Sequence, residues 1–412
     1  MAAEIRPFGD LFAEGTRNGL TRPKAVRGVG VKMVNMGELF AHPRLQNAEM
    51  DRVPLSDSDA QKFLLNDGDL LFARQSLVLE GAGKCSIFLN DTEPVTFESH
   101  VTRVRLDRSK ADPLFYFYYL QSHHGKSAIR SIVEQGAGAS GIRGSDLQNV
   151  AVLWLPPPEQ RAAAHILGTL DDKIELNRRR SQNLEEMART LFKDWFVDFG
   201  PVRAKLEGRE PYLPRDLWQL FPDALDDEGR PERWGMKRVS DYLTLAYGKS
   251  LPTGKRNPGG IPVYGSGGVT GFHNKALLNG PAIIVGRKGT VGSLYWEDRP
   301  CFPIDTVFYV QPAAPLSWCY YLLESLPLEN MNTDAAVPGL NRENVHRLEV
   351  VAPPTRLTLA FAEMVTRFRE SIAQISKDNE NLAQLRETLL PKLISGEVRI
   401  ADPEAFIGRV GL

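Results

Sequence analysis

The sequence predicts an α/β (α+β) chain built by internal duplication. Two similar units of mixed strands and helices are separated by an antiparallel two-helix coiled coil with pseudo-two-fold symmetry. Three observations predict it. Five segments of the first half recur in the same order in the second, each half closes on a long heptad run, and prolines precede both runs.

In the first half GDLLFAR (68–74), SHVTRVRL (99–106), DPLFYFYYLQS (112–122), GIRGSDLQNV (141–150) and AVLWLPPP (151–158) follow one another. The second half gives GPAIIVGR (280–287), IDTVFYVQ (304–311), APLSWCYYLLES (314–325), GLNRENVHRL (339–348) and EVVAPP (349–354). Each series reads as two β-rich runs, an aromatic helix opened by Pro-Leu, a glycine turn, a strand and a proline stop. The starts match more loosely, with Phe8-Gly9-Asp10-Leu11 opposite Val239-Ser240-Asp241-Tyr242. Chance can supply one such pairing, but five in order mark a repeat.

The first heptad run steps by four and three through Ala163, Leu167, Leu170, Ile174, Asn177, Ser181, Leu184, Ala188, Leu191 and Trp195. Adding 198 gives Phe361, Val365, Phe368, Ile372, Ile375, Asn379, Leu382, Arg386, Leu389 and Leu393. A narrow 4–3 stripe is a coiled-coil seam rather than the wider face of a globular helix. The expected seam is Leu167, Leu170, Ile174, Asn177, Leu184, Leu191 and Trp195 against Val365, Phe368, Ile372, Ile375, Asn379, Leu382, Leu389 and Leu393, with nearly complete burial. Asn177, Ser181 and Asn379 would weaken it but fix its register. About 40 residues at 1.5 Å each make a helix of about 60 Å. Pro156 to Pro158, Pro353 and Pro354 suit helix starts, Gly200-Pro201 and Gly396 are expected stops, and Pro391 should kink or fray the final turns.

One chain carrying both helices, each behind its own unit, favours antiparallel pairing. Residues 201–234 are long enough to return a parallel partner, and each helix could instead cover only its own unit. The ranges that follow are 1–155 for the first unit, 156–200 for its helix and 201–234 for a proline-rich acidic connector. Residues 235–353 form the second unit, 354–396 its helix and 397–412 a C-terminal tail.

A length of 412 residues suits two to four domains, and 42% apolar with 25% charged residues is ordinary globular composition. No run approaches the ~18 apolar residues of a membrane span, and the start MAAEIRPFGDLF lacks the features of a signal peptide. Cys85, Cys301 and Cys319 show no ligand spacing, so the expected setting is a reduced cytoplasm with no membrane partner.

The balance of 50 basic against 51 acidic residues argues at first sight against a polyanionic partner. The distribution says otherwise. Residues 237–288 hold eight bases (Lys237, Arg238, Lys249, Lys255, Arg256, Lys275, Arg287, Lys288) and one acid, Asp241, among many glycines. Residues 15–44 hold Arg17, Arg22, Lys24, Arg27, Lys32 and Arg44 against Glu38. Either patch alone reads as a solvated loop. Paired patches on duplicated units favour a two-site binder of a long polyanion.

Catalytic signatures fail on context. Gly136 to Gly141 fits GxGxxG, but an apparent helix, Asp112 to about Val133, precedes it where a dinucleotide fold needs a strand. Gly248-Lys249-Ser250 has Leu243 where a phosphate-binding loop needs its first glycine. LPPP (155–158) and APPT (352–355) lack the flanking residues of an amino-methyltransferase motif. The histidines are scattered, and the acidic cluster Asp223 to Glu228 lacks a suitably spaced lysine. No catalytic and no metal-ligating residue is assigned.

The run PPPEQRAAAHILGTLDDKIELNRRRSQNLEEMARTLFKDWFVDFGPVRAKLEG (156–208) resembles the central conserved region of specificity subunits of type I restriction-modification systems. LAQLRETLLPKLISGEVRI (382–400) resembles their second conserved helix end, and PERW (231–234) and GRKGTVGS (286–293) resemble features of their target-recognition domains. The resemblance implies two target-recognition domains, each binding half of a split, asymmetric sequence in double-stranded DNA, with the helix pair as a ruler. It implies two modification subunits that methylate adenine and ATP-dependent restriction subunits as partners. S-adenosylmethionine, ATP and Mg would then sit on those partners, with no cofactor in this chain.

The residues expected on DNA are Arg17, Arg22, Lys24, Arg27, Arg74, Gln75 and Arg143 in the first unit. In the second they are Lys249, Lys255, Arg256, Tyr264, Ser266, His273, Asn274, Lys275, Arg287 and Lys288. Arg74 and Arg287 rank high because each follows its strand at a similar place, although Asp69 or Glu98 could pair with Arg74. The alternative function is an interaction scaffold whose coiled coil holds two protein-binding modules, with no DNA partner.

Overall fold

The computed structural model describes residues 4–136, 138–332 and 339–410. The ends of the two terminal ranges (1–3 and 411–412), Ala137 of the glycine run and 333–338 of the second unit lie outside the described residues. The chain forms two compact units, one from 1–175 with 379–412 and one from 176–378. The division passes through both long helices, so each unit owns half of each.

In the first unit Glu4–Pro7 pairs antiparallel with Ala151–Trp154, which leads through Pro156 into the helix Pro157–Phe196. The main sheet runs in the order Arg17–Asn18, Val101–Val104, Leu70–Ala73, Cys85–Phe88, Arg44–Leu45. A second sheet centres on Val31–Val34, antiparallel to Asp51–Val53 and parallel to Val95–Phe97.

The second unit repeats these pairings except for the fifth strand of the main sheet, Arg44–Leu45. Gly235–Arg238 lies antiparallel to Glu349–Ala352, ahead of the helix Thr355–Ile394. The main sheet runs Leu243–Tyr247, Val307–Pro312, Ala282–Gly286, Leu294–Glu297. Ile261–Gly265 lies antiparallel to Gly268–His273 and parallel to Phe302–Pro303. The aromatic helices Pro113–Gln121 and Leu316–Glu324 correspond, and the long helices have 40 residues each. The duplication is therefore one of topology as well as sequence.

Each core gathers around its aromatic helix. In the first unit Phe72, Phe115 and Tyr116 pack with Ala163, Leu167 and Leu393, and in the second Trp318 and Tyr321 pack with Phe192, Trp195 and Phe361. The helix halves run antiparallel in both units. Asp171 pairs with Arg386 at 2.6 Å in the first unit, where Ala163 and Leu393 line one small cavity. In the second, Glu185 pairs with Arg369 at 2.9 Å and Phe192 meets Phe361 at 5.5 Å between ring centres. Numbers rise on one helix as they fall on the other.

Three expectations need correction. Seam burial is not nearly complete. Leu167, Ile174, Asn177, Trp195, Val365, Ile375 and Leu393 are buried, while Leu170, Leu184, Leu191, Phe368, Ile372, Asn379, Leu382 and Leu389 are half-buried. Two helices alone cannot enclose a stripe, so full burial comes mostly where a unit's core covers it. The first long helix ends at Phe196 rather than at Gly200-Pro201, which instead open the next helix, Gly200–Leu206. Proline is tolerated in a first turn, where its missing N–H has no partner to lose.

The third correction concerns Asp112 to Val133, which forms two helices, Pro113–Gln121 and His123–Arg130. The Ser122 hydroxyl accepts from the Gly125 N–H at 3.2 Å, capping a new start. The glycine run spans the hairpin between Glu134–Gln135 and Ser140–Gly141. The connector carries the short helix Arg215–Trp218 and buries Val202, Phe221 and Trp234 in the core of the second unit.

Candidate nucleic-acid interface

Arg74 and Arg287 stand at equivalent points of the two main sheets. The Arg74 N–H donates to the His100 carbonyl at 2.8 Å, and its own carbonyl accepts from Ile142 at 2.9 Å. The Arg287 N–H donates to the Thr306 carbonyl at 3.0 Å, and its carbonyl accepts from Leu340 at 2.8 Å. Backbone bonds on both sides fix where each side chain leaves the sheet.

Neither proposed partner takes Arg74. Asp69 accepts two bonds from Arg105, both at 2.7 Å, and Glu98 accepts from the Met36 N–H at 2.9 Å. The Arg74 guanidinium donates only a long bond, 3.4 Å, to the Ser99 carbonyl. No carboxylate among the described residues lies within ion-pair distance of it. It lines an open cleft of about 380 Å³ with Asn18, Gln75, Glu134 and Arg143. Three predicted residues, Arg74, Gln75 and Arg143, are thus brought to one place by the 134–141 hairpin, whose Ser140–Gly141 strand pairs with Gln75–Ser76. Arg143 pairs with Glu134 at 2.8 Å, both largely exposed.

The remaining basic residues of the first unit are mostly engaged. Arg22 pairs with Asp59 at 2.7 Å and Arg27 with Asp51 at 2.9 Å. Lys32 pairs with Asp91 at 3.0 Å and Arg44 with Asp172 at 2.7 Å. All four acids lie outside residues 15–44, so the basic window is largely neutralised by the fold. Arg22 and Arg27 therefore hold their loop in place. Arg17 lies 5.7 Å over the Phe63 ring, and Lys24 is exposed.

In the second unit the patch keeps its charge. Lys249, Lys255, Lys275 and Lys288 are exposed, with no carboxylate among the described residues in ion-pair range. Lys249, Ser266, Arg287 and Lys288 gather at the 303–306 turn. The Lys249 N–H donates to the Pro303 carbonyl at 3.1 Å, that of Lys288 to Thr306 at 3.1 Å, and the Ser266 hydroxyl donates to the Lys288 carbonyl. Glycine is required here for close approach. A Cβ on Gly248 would meet the Ile304 carbonyl at 2.1 Å, and one on Gly286 the Thr290 carbonyl at 2.1 Å.

Lys255, Arg256, Asn274 and Lys275 form a second group beside the 261–273 hairpin, where Arg256 donates to the Thr270 carbonyl at 2.7 Å. Two expected contacts are withdrawn. Tyr264 is buried and donates to Glu297 at 3.0 Å, and burial pushes its phenol pKa well up. His273 is buried and accepts from the Asn257 N–H at 3.0 Å. Both are polar residues satisfied inside the hairpin rather than presented to a ligand.

Sequence reasoning missed Asn18 in the cleft, Tyr247, whose ring lies beside Arg287, and Arg342, which lies over the same ring. Arg342 lies one position beyond the counterpart of Arg143 in the aligned repeats GIRGSDL and GLNRENV. That register is the signal that could have found it.

The model of the type I restriction modification DNA specificity domain matches residues 40–186 and 231–383. The specificity subunit of type I restriction enzyme HindI from Haemophilus influenzae is 24% identical over 442 residues, covering 89% of this chain and 94% of that one. The MjaIX specificity subunit from Methanocaldococcus jannaschii is 25% identical over 313 residues, covering 70% and 69%. The fold resembles the crystal structure of a type I restriction-modification S subunit from M. genitalium, with TM-score 0.55, 18% identity and coverage of 95% and 96%. With two copies of that domain spanning most of its length, the chain belongs to the type I restriction-modification specificity family, and its function is recognition of a DNA target.

Proposed function

We propose that the chain recognises a bipartite, asymmetric DNA sequence, one half per unit, and directs adenine methylation and restriction by modification and restriction subunits bound to it. The observation that carries this reading is the pair of topologically similar units that hold Arg74 and Arg287 at matching backbone sites in unlike surroundings. Similar frames explain two half-sites, and unlike surroundings explain why the halves differ. The relatives are named as specificity subunits of type I restriction enzymes, which supports the partner assignment.

Duplex binding by the full chain should fall steeply with salt, because each neutralised phosphate releases counterions. Replacing Lys249, Lys255 and Lys275 together by alanine should reduce the slope of log affinity against log salt by about three, at about one per lysine. A protein-binding scaffold would show no such slope, so a flat salt titration would reject the DNA reading.

Arg74→Ala and Arg287→Ala should each lose about 1–3 kcal/mol of discrimination at one base position. The loss should fall in a different half-site for each variant. Selection of bound duplexes from a randomised pool reads both positions, and unchanged preferences would remove these arginines from base recognition.

A further inference from the structure

The two arginines differ in what lies beside them. In the first unit Ala73 faces Val101, and the next pair along is Thr102 opposite Asn18. In the second, Gly286 faces Val307, and the next pair is Phe308 opposite Tyr247. Asn18 and Tyr247 therefore occupy the same register position. The short pair in the first unit is joined by a 2.7 Å bond from the Thr102 hydroxyl to Asn18 Oδ1, beside the open cleft that Asn18 shares with Arg74.

In the second unit two rings occupy that place, with centres 5.0 Å apart. Arg287 Cζ lies 5.1 Å from the centre of the Tyr247 ring and 5.9 Å from that of Phe308. Arg342, at the start of the helix Arg342–His346, also lies over Tyr247, at 5.0 Å. Tyr247 remains 50% exposed despite these neighbours.

A guanidinium held by a carboxylate spends N–H donors on it, whereas one held by a ring face keeps them. Arg342 donates its Nε–H to Glu343 at 3.0 Å. Arg287 has no carboxylate within ion-pair distance among the described residues. Its fork is thus restrained by apolar and π contacts while its donors stay available, which suits bidentate bonding to the O6 and N7 of guanine.

We propose that Tyr247 is a positioning residue for Arg287, and that the pair commits the second unit to a guanine in its half of the target. The proposal rests on Arg287 as a base contact. Tyr247 touches no base in this scheme and acts by limiting where the guanidinium can point.

The test selects duplexes from a randomised pool with the full chain. The wild-type chain should prefer guanine at one position of one half-site, and Tyr247→Phe should keep that preference. Tyr247→Asn, which installs the residue of the first unit, should lower it by roughly three- to thirtyfold, leaving the other half-site unchanged. An intact guanine preference in Tyr247→Asn, or an equal loss at every position, overturns the positioning role.

A duplex carrying 7-deazaguanine at that position lacks N7, so it should weaken wild-type binding and leave Arg287→Ala unaffected. Persistence of the deazaguanine effect in Arg287→Ala overturns the contact itself. A wild-type chain with neither base preference nor salt dependence would instead reject DNA recognition, so the two failures remain distinct. Tyr247→Leu gives a second substitution if the asparagine variant does not fold, with the same outcomes.

Discussion

Arg369→Ala should destabilise the second unit by about 3 kcal/mol, the lower end of the range expected when one partner of a buried ion pair is removed, because this pair is largely rather than fully buried. Arg369 donates at 2.9 Å to both Glu185 and the Tyr321 hydroxyl. Its guanidinium lies 4.7 Å from the Trp296 ring centre and 5.0 Å from that of Tyr320. Only 11% of its side chain and 19% of that of Glu185 are exposed. Truncation leaves the partly desolvated Glu185 carboxylate beside a buried phenol with Arg189 at a longer 3.7 Å, and it removes the cation from its rings.

Replacing the pair differs from breaking it. Arg369→Met with Glu185→Gln removes both charges and keeps the volume, so it should recover most of the loss. Tryptophan fluorescence during denaturant unfolding reads this directly, because Trp195, Trp218, Trp234, Trp296 and Trp318 all lie within 176–378. Equal destabilisation by the single and double variants would argue against a charge-burial origin.

The counterpart of Arg369 in the first unit is Asp171, which accepts from Tyr118 at 2.7 Å as Arg369 bonds to Tyr321. A tyrosine of each aromatic helix thus meets the same position of its long helix with the charge reversed, although Tyr321 lies one residue beyond Tyr320, the repeat counterpart of Tyr118. Both acids, Asp171 and Glu185, lie on the first long helix, and both arginines, Arg386 and Arg369, on the second. This complementarity favours pairing of the first helix with the second over pairing of like with like, where acid would meet acid.

The frame of the molecule was legible because it is written in periodicity. The five repeated segments, the 198-residue offset and the heptad steps each depend on spacing, which survives substitution. The charge distribution was only half legible. Residues 15–44 carry a basic excess in sequence, yet Asp51, Asp59, Asp91 and Asp172 come from elsewhere in the chain to pair with it. A window count cannot register a partner that arrives through the fold. The patch at 249–288 kept its charge because glycine turns, rather than acids, pack against it. The burial of Tyr264 and His273 was illegible for a related reason. A polar residue in a basic, glycine-rich stretch looks available until packing encloses it, as in the 261–273 hairpin, where Tyr264 lies in an almost continuously buried strand and His273 at the buried end of its partner. Tyr247 gives no signal in the sequence because a strand-end aromatic carries no charge, although the Arg287 guanidinium lies over its ring.

Phe361→Ala should be at least as costly as the loss of Arg369, about 3–5 kcal/mol, but by a cavity rather than a broken ion pair. Phe361 is fully buried. Its ring centre lies 5.5 Å from those of Phe192 and Phe196, 5.8 Å from Tyr321 and 6.3 Å from Trp195. Those neighbours come from the first long helix and the aromatic helix, so relaxation of either leaves the other without a partner. Domains have only about 5–15 kcal/mol in total, and the variant should therefore lose recognition of the second half-site on warming while retaining the first. The counterpart residue is Ala163, also buried, in the first unit. The repeats share a frame but fill it with different volumes. Ala163→Phe should consequently overpack the first unit and cost about 1–3 kcal/mol. Combining it with Phe361→Ala should add the two losses without rescue, because the residues sit in separate cores. Denaturant unfolding of the two single variants and the double variant measures this, and mutual compensation would show that the helix pair behaves as one continuous core rather than as two.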